Sequence, residues 1–223
     1  MSYTVVTDPQ RSEAWFAARA GRLTGSVADV LYKEGKKKGE FSVARRDLIL
    51  KLACERLTGM SLEEEFTLPA HMQRGIDKEA DAFAAFEAAT GLLASTSGFL
   101  SHDSLMVGCS LDGHVGDVSA PGAILEAKCP KTHTHIGYIR AGVVPPAYIP
   151  QVTFNMWMTG APMAYFVSFD DRLPAELALL VVAHTRDEAA MADIGARITV
   201  FLAEVDAEVA ALETMRKAIK AGE

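Results

Sequence analysis

The chain reads as an α/β protein in which one central mixed β-sheet lies between helices, and three observations carry that reading. Helical signals fill roughly the first 90 residues and return in a long C-terminal stretch, where apolar residues recur at spacings of three and four. From Gly98 the period shortens, and apolar, β-branched or aromatic runs are separated by Gly, Ser and Asp turns. The length, 223 residues of which 49% are apolar, suits one large core and falls slightly short of two ordinary domains, so residues 1–223 are read as a single domain.

The first helix is expected over Ser12–Ala20, with Ser12 as its cap, Trp15 and Ala18 on its apolar face and Gly21 as its stop. A second, Ser26–Tyr32, follows the turn Thr24-Gly25, and the polar run 33–40 is expected to be a mobile loop. Ala44–Thr58 places Leu48, Leu52 and Leu57 among basic residues and ends at Gly59, a residue suited to a left-handed cap. One longer helix is expected from Pro69 to Thr90, closed by Gly91. Short strands follow in 98–115 and at GAILEAK (122–128). Helices are expected over Thr132–Ala141 and Gln151–Thr159, then buried strands over Met163–Phe169 and Leu177–His184. A long helix over Asp187–Ala221 closes the chain, with Ile194, Ile198, Phe201, Leu202, Val205, Val209 and Leu212 on one face.

No apolar run approaches the roughly 18 to 20 residues that span a bilayer, and the start MSYTVVTDPQR lacks the layout of a secretory signal, so a soluble cytoplasmic protein is expected. Cys54, Cys109 and Cys129 show no CxxC pairing and support neither a disulfide framework nor a four-cysteine metal site. The net charge of −7 taken alone argues against a protein that coats nucleic acid through a basic exterior, but the charge is uneven and the total decides nothing by itself. Between Leu31 and Lys51 seven basic residues face three acidic ones, and a nuclease groove needs only local basicity beside the carboxylates of its metal site.

The chemistry concentrates in Cys109-Ser-Leu-Asp112-Gly113 and Leu125-Glu126-Ala127-Lys128. Side chains alternate along a strand, so Glu126 and Lys128 share a face while Ala127 points away. With Asp112 alongside, two carboxylates and the backbone carbonyl of Ala127 form an oxygen set of the kind that holds Mg²⁺ or Mn²⁺. Such a site suits phosphodiester hydrolysis, with Lys128 orienting the attacking water and offsetting phosphate charge. A bare ExK by itself is most often an ordinary surface pair.

Five ordered blocks make the pattern specific: Ala14-Trp15 with Arg19, Gly21, Thr24 and Ser26; Gly75-Ile-Asp-Lys-Glu79; Cys109 to Gly113; Glu126-Ala-Lys128-Cys-Pro130; and Gln151 to Trp157. In these the chain resembles the phage lambda exonuclease family, the YqaJ-type viral recombinases, whose core is restriction-endonuclease-like. The resemblance implies a helical N-terminal region before that core and a Mg²⁺-dependent 5′→3′ exonuclease on double-stranded DNA. It implies that Asp112 and Glu126 are metal ligands, Lys128 the catalytic lysine, Glu79 an acid reaching the metal through water, and Gln151 a support for the site. Arg19, Thr24 and Ser26 become a pocket for the 5′-terminal phosphate, with Ser26 as a simple helix cap the competing reading. A ring-shaped homotrimer, processive digestion leaving 3′ single-stranded tails, a phage single-strand annealing protein as partner and a phage or prophage origin also follow from the resemblance. Leu111 and Ala127 depart from the family's proline and leucine, and neither change removes a ligand.

Two rival readings share the fold: a restriction-type endonuclease, and a catalytically silent DNA-binding module, which the retained triad disfavours. The pair His133 and His135 suggests zinc but lacks a third ligand, and is read as loop or DNA-facing. Trp15 and Trp157 are read as packing residues, Asn155 is left open, and the Lys33–Lys38 cluster is either a phosphate contact or a solvated loop.

Overall fold

The computed structural model describes residues 2–10, 12–37, 40–62 and 70–222. Strand β1 (Tyr3–Val6), helix α1 (Glu13–Arg19) and the short β2 (Leu23–Thr24) lead into a 3₁₀ helix at Gly25–Leu31. Helices α2 (Val43–Thr58), α3 (Ala70–Asp77) and α4 (Glu79–Thr90) come next. A strand block follows: β3 (Ala94–Ser95), β4 (Phe99–His102), β5 (Val107–Ser110), β6 (Gly113–Val115) and β7 (Ala123–Lys128). Then come α5 (Thr132–Ala141), a 3₁₀ turn at Pro146–Tyr148, α6 (Ile149–Thr159), β8 (Met163–Phe169), the single turn α7 (Ala175–Ala178), β9 (Leu179–Thr185) and α8 (Glu188–Ala221).

The strands form two mixed sheets rather than one, ordered β1-β4-β5-β2 and β3-β6-β7-β8-β9. The chain passes between them where β5 ends and β6 begins, at the buried Leu111 and at Asp112, so the junction of the sheets carries a candidate site residue. Residues Tyr3–Val6, to which the sequence reading assigns no element, pair antiparallel with β4 from Tyr3 against His102 to Val6 against Phe99. β7 and β8 run parallel, as a crossover long enough to contain α5 and α6 requires, with Glu126 opposite Phe166 and Lys128 opposite Ser168.

Close backbone approach stiffens the β4–β5 pair beneath that junction. A Cβ on Gly108 would lie 2.2 Å from the Phe99 ring and 2.7 Å from the Leu100 carbonyl oxygen, and Phe99 is fully buried. Gly108→Ala is therefore expected to cost about 1–3 kcal/mol through overpacking, measurable by denaturant unfolding; an unchanged midpoint would refute the close fit.

The main core gathers α6, the first half of α8, the 3₁₀ helix at Gly25–Leu31 and the inner faces of β4 and β5. From Val152 to Thr159 every residue of α6 is buried, which fixes its N-terminal end, with Gln151, against β7. Alternation along β7 divides it between two cores: Ile124 faces the main one, and Leu125 joins Ala82, Phe86 and Val167 in a second, smaller one. Helix α8, capped by Asp187 accepting from the Ala189 N–H, buries Met191, Ile194, Ile198, Phe201, Leu202 and Val205 along its first half. Arg45 of α2 ties to it through Glu204, with Nε and Nη2 donating at 3.0 Å each. Trp15 and Trp157 pack as expected, both mostly buried.

Four local expectations change. The single helix ending at Thr90 is two, broken at Lys78, whose φ of −101° and ψ of 0° leave helical geometry; Pro69, its expected start, lies outside the described residues. The break places Glu79 in the first turn of α4, where the helix dipole favours a carboxylate. The segment Ser26–Tyr32 is 3₁₀ rather than α, and the expected loop 33–40, of which 38 and 39 lie outside the described residues, carries a bridge between Glu34 and Phe41 and the Gly35 N–H donating to the Glu40 carbonyl at 2.7 Å. Strand β9 starts at Leu179, after α7, instead of at Leu177. Among the described residues, no helix is long and apolar enough to cross a membrane.

Candidate active site

Glu126 and Lys128 lie on one face of β7 with Gln151 of α6 above them, and the bend at Asp112 brings that residue to the same edge. The Ala127 N–H donates to Asp112 Oδ2 at 2.8 Å, which orients the carboxylate along the strand. Gln151 Nε2 donates to Glu126 Oε2 at 2.8 Å and leaves Oε1 directed at the lysine.

The Lys128 ammonium sits in a cradle of three oxygens: Glu126 Oε1 at 2.5 Å, the Ala127 carbonyl at 2.9 Å and Asp112 Oδ2 at 3.2 Å. Those are the three groups expected to ligate a metal, and here the ammonium stands in for a cation. Their convergence on one positive charge, two carboxylates and a backbone oxygen, is the donor chemistry of a hard divalent ion. The Tyr148 ring also faces the ammonium, its centroid 5.5 Å from Nζ.

The electrostatics agree with a site built for added positive charge. Burial pushes the Glu126 carboxyl up to about 7, Asp112 and Glu79 push the same way, and Lys128 opposes them. Glu79 is also raised to about 7, first by burial and then by Asp112, with Lys128 again opposing. For Lys128, burial alone would lower the ammonium, but Asp112 and Glu126 outweigh it and keep it charged. Among the described residues, no three His, Cys, Asp or Glu side chains form a group that could hold a metal by themselves, and Glu79 is near enough for Asp112 and Lys128 to act on its charge.

Arg19, Thr24 and Ser26 line one small cavity of about 50 Å³ behind α1. Thr24 Oγ1 and Ser26 Oγ are 3.2 Å apart, and the Arg19 guanidinium stacks 4.2 Å from the Trp15 ring centroid. Ser26 is no helix cap: it lies inside the 3₁₀ helix, whose cap position belongs to Thr24. Arg22 and Lys51 also line the cavity, and sequence reasoning missed both. Buried Glu55 closes it below, accepting from the Gly21 N–H at 2.7 Å and the Leu62 N–H at 2.9 Å.

Other candidates separate from the site. His135 is neither loop nor DNA-facing but fully buried in α5, within hydrogen-bond reach of Ser168 Oγ at 2.6 Å and the Leu177 carbonyl at 2.9 Å, while His133 points outward. Two residues apart on a helix, they face different sides and form no zinc pair. Asn155 is buried and packs against Gly25, where a Cβ would come 2.2 Å from its Oδ1. Lys33 is paired with Asp29 and Lys37 lies 3.9 Å from Glu40, whereas Lys38 is outside the described residues. Tyr148 also went unrecognised; it packs 5.3 Å from the Phe166 ring, and burial with its hydrogen bond raises the Tyr138 hydroxyl to about 12. Its proximity to Lys128 arises from the parallel β7–β8 crossover and has no local sequence signal.

Comparison with known proteins bears on the family and the fold. A family model described as a YqaJ-like viral recombinase domain matches residues 14–162. Comparison with curated proteins returned no match. Among solved structures, the chain is similar to LHK-Exo, an alkaline exonuclease from Laribacter hongkongensis, at 36% identity and a TM-score of 0.79, covering 94% of this chain and 100% of that one. LHK-Exo in complex with dAMP aligns over the same shares at 36% identity and a TM-score of 0.80. A phage related exonuclease from Haemophilus somnus 129PT, at 16% identity and a TM-score of 0.62 over 86% of this chain and 96% of that one, shares the fold.

Proposed function

The chain belongs to the YqaJ-like viral recombinase family, and from that premise we propose that it is a divalent-metal-dependent exonuclease digesting double-stranded DNA from its 5′ ends. The observation that carries the reading is the oxygen cradle of Asp112, Glu126 and Ala127 around the Lys128 ammonium. Mg²⁺ or Mn²⁺ bound there supplies Lewis acidity to the scissile phosphate and lowers the pKa of water.

The protein's own groups then have distinct tasks. Asp112 and Glu126 present oxygens to the cation, the first aligned by the Ala127 N–H and the second by Gln151. Glu79, protonated or ionised near neutrality, holds a water at the edge of the cradle. Lys128 would orient the attacking water and balance charge on the phosphate. The cavity of Arg19, Thr24 and Ser26, with Arg22 and Lys51, takes the 5′-terminal phosphate and sets where the duplex end stops. The products are mononucleotides and duplex with 3′ single-stranded tails, substrates for a phage-type annealing protein in the bacterial cytoplasm. A ring of three copies around the duplex would make digestion processive.

Linear duplex labelled at either the 5′ or the 3′ end, digested with Mg²⁺ and with chelator, tests the core claim. Early release of the 5′ label, none from closed circles and none with chelator is expected; early release of the 3′ label would overturn the polarity. For the end pocket, Arg19→Ala is expected to abolish most of the preference for 5′-phosphorylated over 5′-hydroxyl ends. An unchanged ratio of the two rates would remove Arg19 from that role.

A further inference from the structure

Strand β8 ends at Phe169, and the next residues, Asp170, Asp171 and Arg172, form an ion cluster with Arg74 of α3 and Lys78 at the α3–α4 break. Asp170 is completely buried and takes Arg172 through both oxygens, from Nε at 2.6 Å and Nη2 at 2.9 Å. Arg74 Nη2 donates to Asp170 Oδ1 at 3.2 Å and also to Asp171, which in turn pairs with Lys78 at 2.7 Å. Hydrogen bonds from Arg172 and Thr132 hold the Asp170 carboxyl low in spite of burial, which alone would raise it.

The same two arginines grip the backbone just beyond the ExK strand. Arg74 Nη1 donates to the Cys129 carbonyl at 3.5 Å, and Arg172 Nη2 donates to the Pro130 carbonyl at 3.1 Å. One cluster thus holds both the exit of β7, which carries Glu126 and Lys128, and the residue immediately before Glu79. An isolated exposed ion pair constrains little. A buried carboxylate held by a bidentate arginine is a rigid anchor, and pairs sharing it are constrained through it.

We propose that Asp171, anchored by Asp170 and Arg74, is a positioning residue that sets Glu79 against the oxygen cradle through Lys78. This rests on the reading that Glu79 works at the catalytic centre. The ion pairs of Asp171 run to Arg74 and Lys78, so its effect passes through the place where α4 begins. The break at Lys78 is where that effect acts, because Glu79 is the first residue of α4.

The test uses the full chain and steady-state digestion of linear duplex over a range of Mg²⁺ concentrations. Asp171→Asn is expected to lower kcat about tenfold through misplacement, with KM for duplex within about twofold of the parent. Its half-maximal Mg²⁺ concentration is expected to rise. Lys78→Gln breaks the same contact from the helix side, together with the 2.8 Å pair of Lys78 with Asp81, so Asp81→Asn serves as the control for that second pair. Lys78→Gln is expected to give the same signature as Asp171→Asn and Asp81→Asn to match the parent, which covers the case of Asp171→Asn melting early. The deciding measurement is non-additivity: the double variant Glu79→Gln/Asp171→Asn is expected to be no slower than Glu79→Gln alone, since Asp171 acts through Glu79. If Glu79→Gln is slow but Asp171→Asn and Lys78→Gln match the parent, or if the losses multiply in the double variant, the positioning role is overturned and the reading of the site stands. If Glu79→Gln itself matches the parent, the reading of Glu79 fails and this inference fails with it.

Discussion

Replacing Lys128 with alanine is expected to slow nucleotide release from linear duplex by about a hundred- to a thousandfold, the cost of removing one preorganised charge from a phosphoryl-transfer site. The same change should be felt in the fold. Lys128 is the cation 2.5 Å from Glu126, whose side chain is only 3% exposed, and 3.2 Å from Asp112. Without it, the metal-free protein carries an uncompensated buried carboxylate and is expected to lose about 3 kcal/mol at pH 8. Mg²⁺ should restore much of that stability without restoring activity, because the ion neutralises the acids but does not replace the lysine at the water. Melting curves and single-turnover digestion, each with and without Mg²⁺, read the two effects separately. Activity within tenfold of the parent would sink the assignment.

Acidity should act on the metal-free protein in an unusual direction. The Glu126 carboxyl rises from 4.5 to about 7 on folding, mainly through burial and then through Asp112. A carboxyl raised by folding holds its proton longer in the native chain than in the unfolded one, so stability is greatest below 4.5 and declines as pH climbs to about 7. The loss between pH 5 and pH 8 is expected to be on the order of 2 kcal/mol, with Glu79 adding a smaller share because it is only half-buried. Asp170, whose carboxyl is depressed, acts in the opposite sense only at more acid pH, while His102, whose imidazole burial holds below its usual value, opposes the decline inside this window, so the decline is the excess of the two carboxyls over it. Divalent ion should cancel the decline at pH 8 and do little at pH 5, where it must displace a proton. For the same reason the digestion rate should fall steeply below pH 7. Glu126→Gln is expected to flatten the pH dependence of the melting temperature and to remove most of the stabilisation by Mg²⁺. A parent protein whose melting temperature rises from pH 5 to pH 8 without metal would contradict the charge balance inferred for the site.

Both expectations depend on a geometry that was only half legible in the residues. Strand alternation places Glu126 and Lys128 on one face whatever the rest of the chain does, and the structure has them 2.5 Å apart at their charged ends. Helix ends were legible for equally local reasons: Gly59 and Gly91 take positive φ, 70° and 73°, where a side chain would be strained. The break at Lys78 was not, because no proline or glycine stands at residues 77–79 to mark it. At the break, Lys78 and Arg74 both pair with Asp171, a partner distant in sequence. His135 was misplaced for the converse reason: a histidine beside threonines looks polar, and its burial depends on Ser168 and Leu177 supplying partners from other elements.

The sequence by itself determined the α/β class, the long C-terminal helix and the Glu126–Lys128 pair, since these follow from side-chain period, glycine conformational freedom and strand alternation, all set within a few residues. Tertiary structure decided what those residues face. The division into two sheets at Leu111 and Asp112, the cradle around the Lys128 ammonium, the cavity shared by Arg19, Arg22 and Lys51, and the ion cluster joining Lys78 to Asp171 come from contacts between distant segments. Such contacts are selected by burial and charge compensation over the whole chain, and no local window contains both partners.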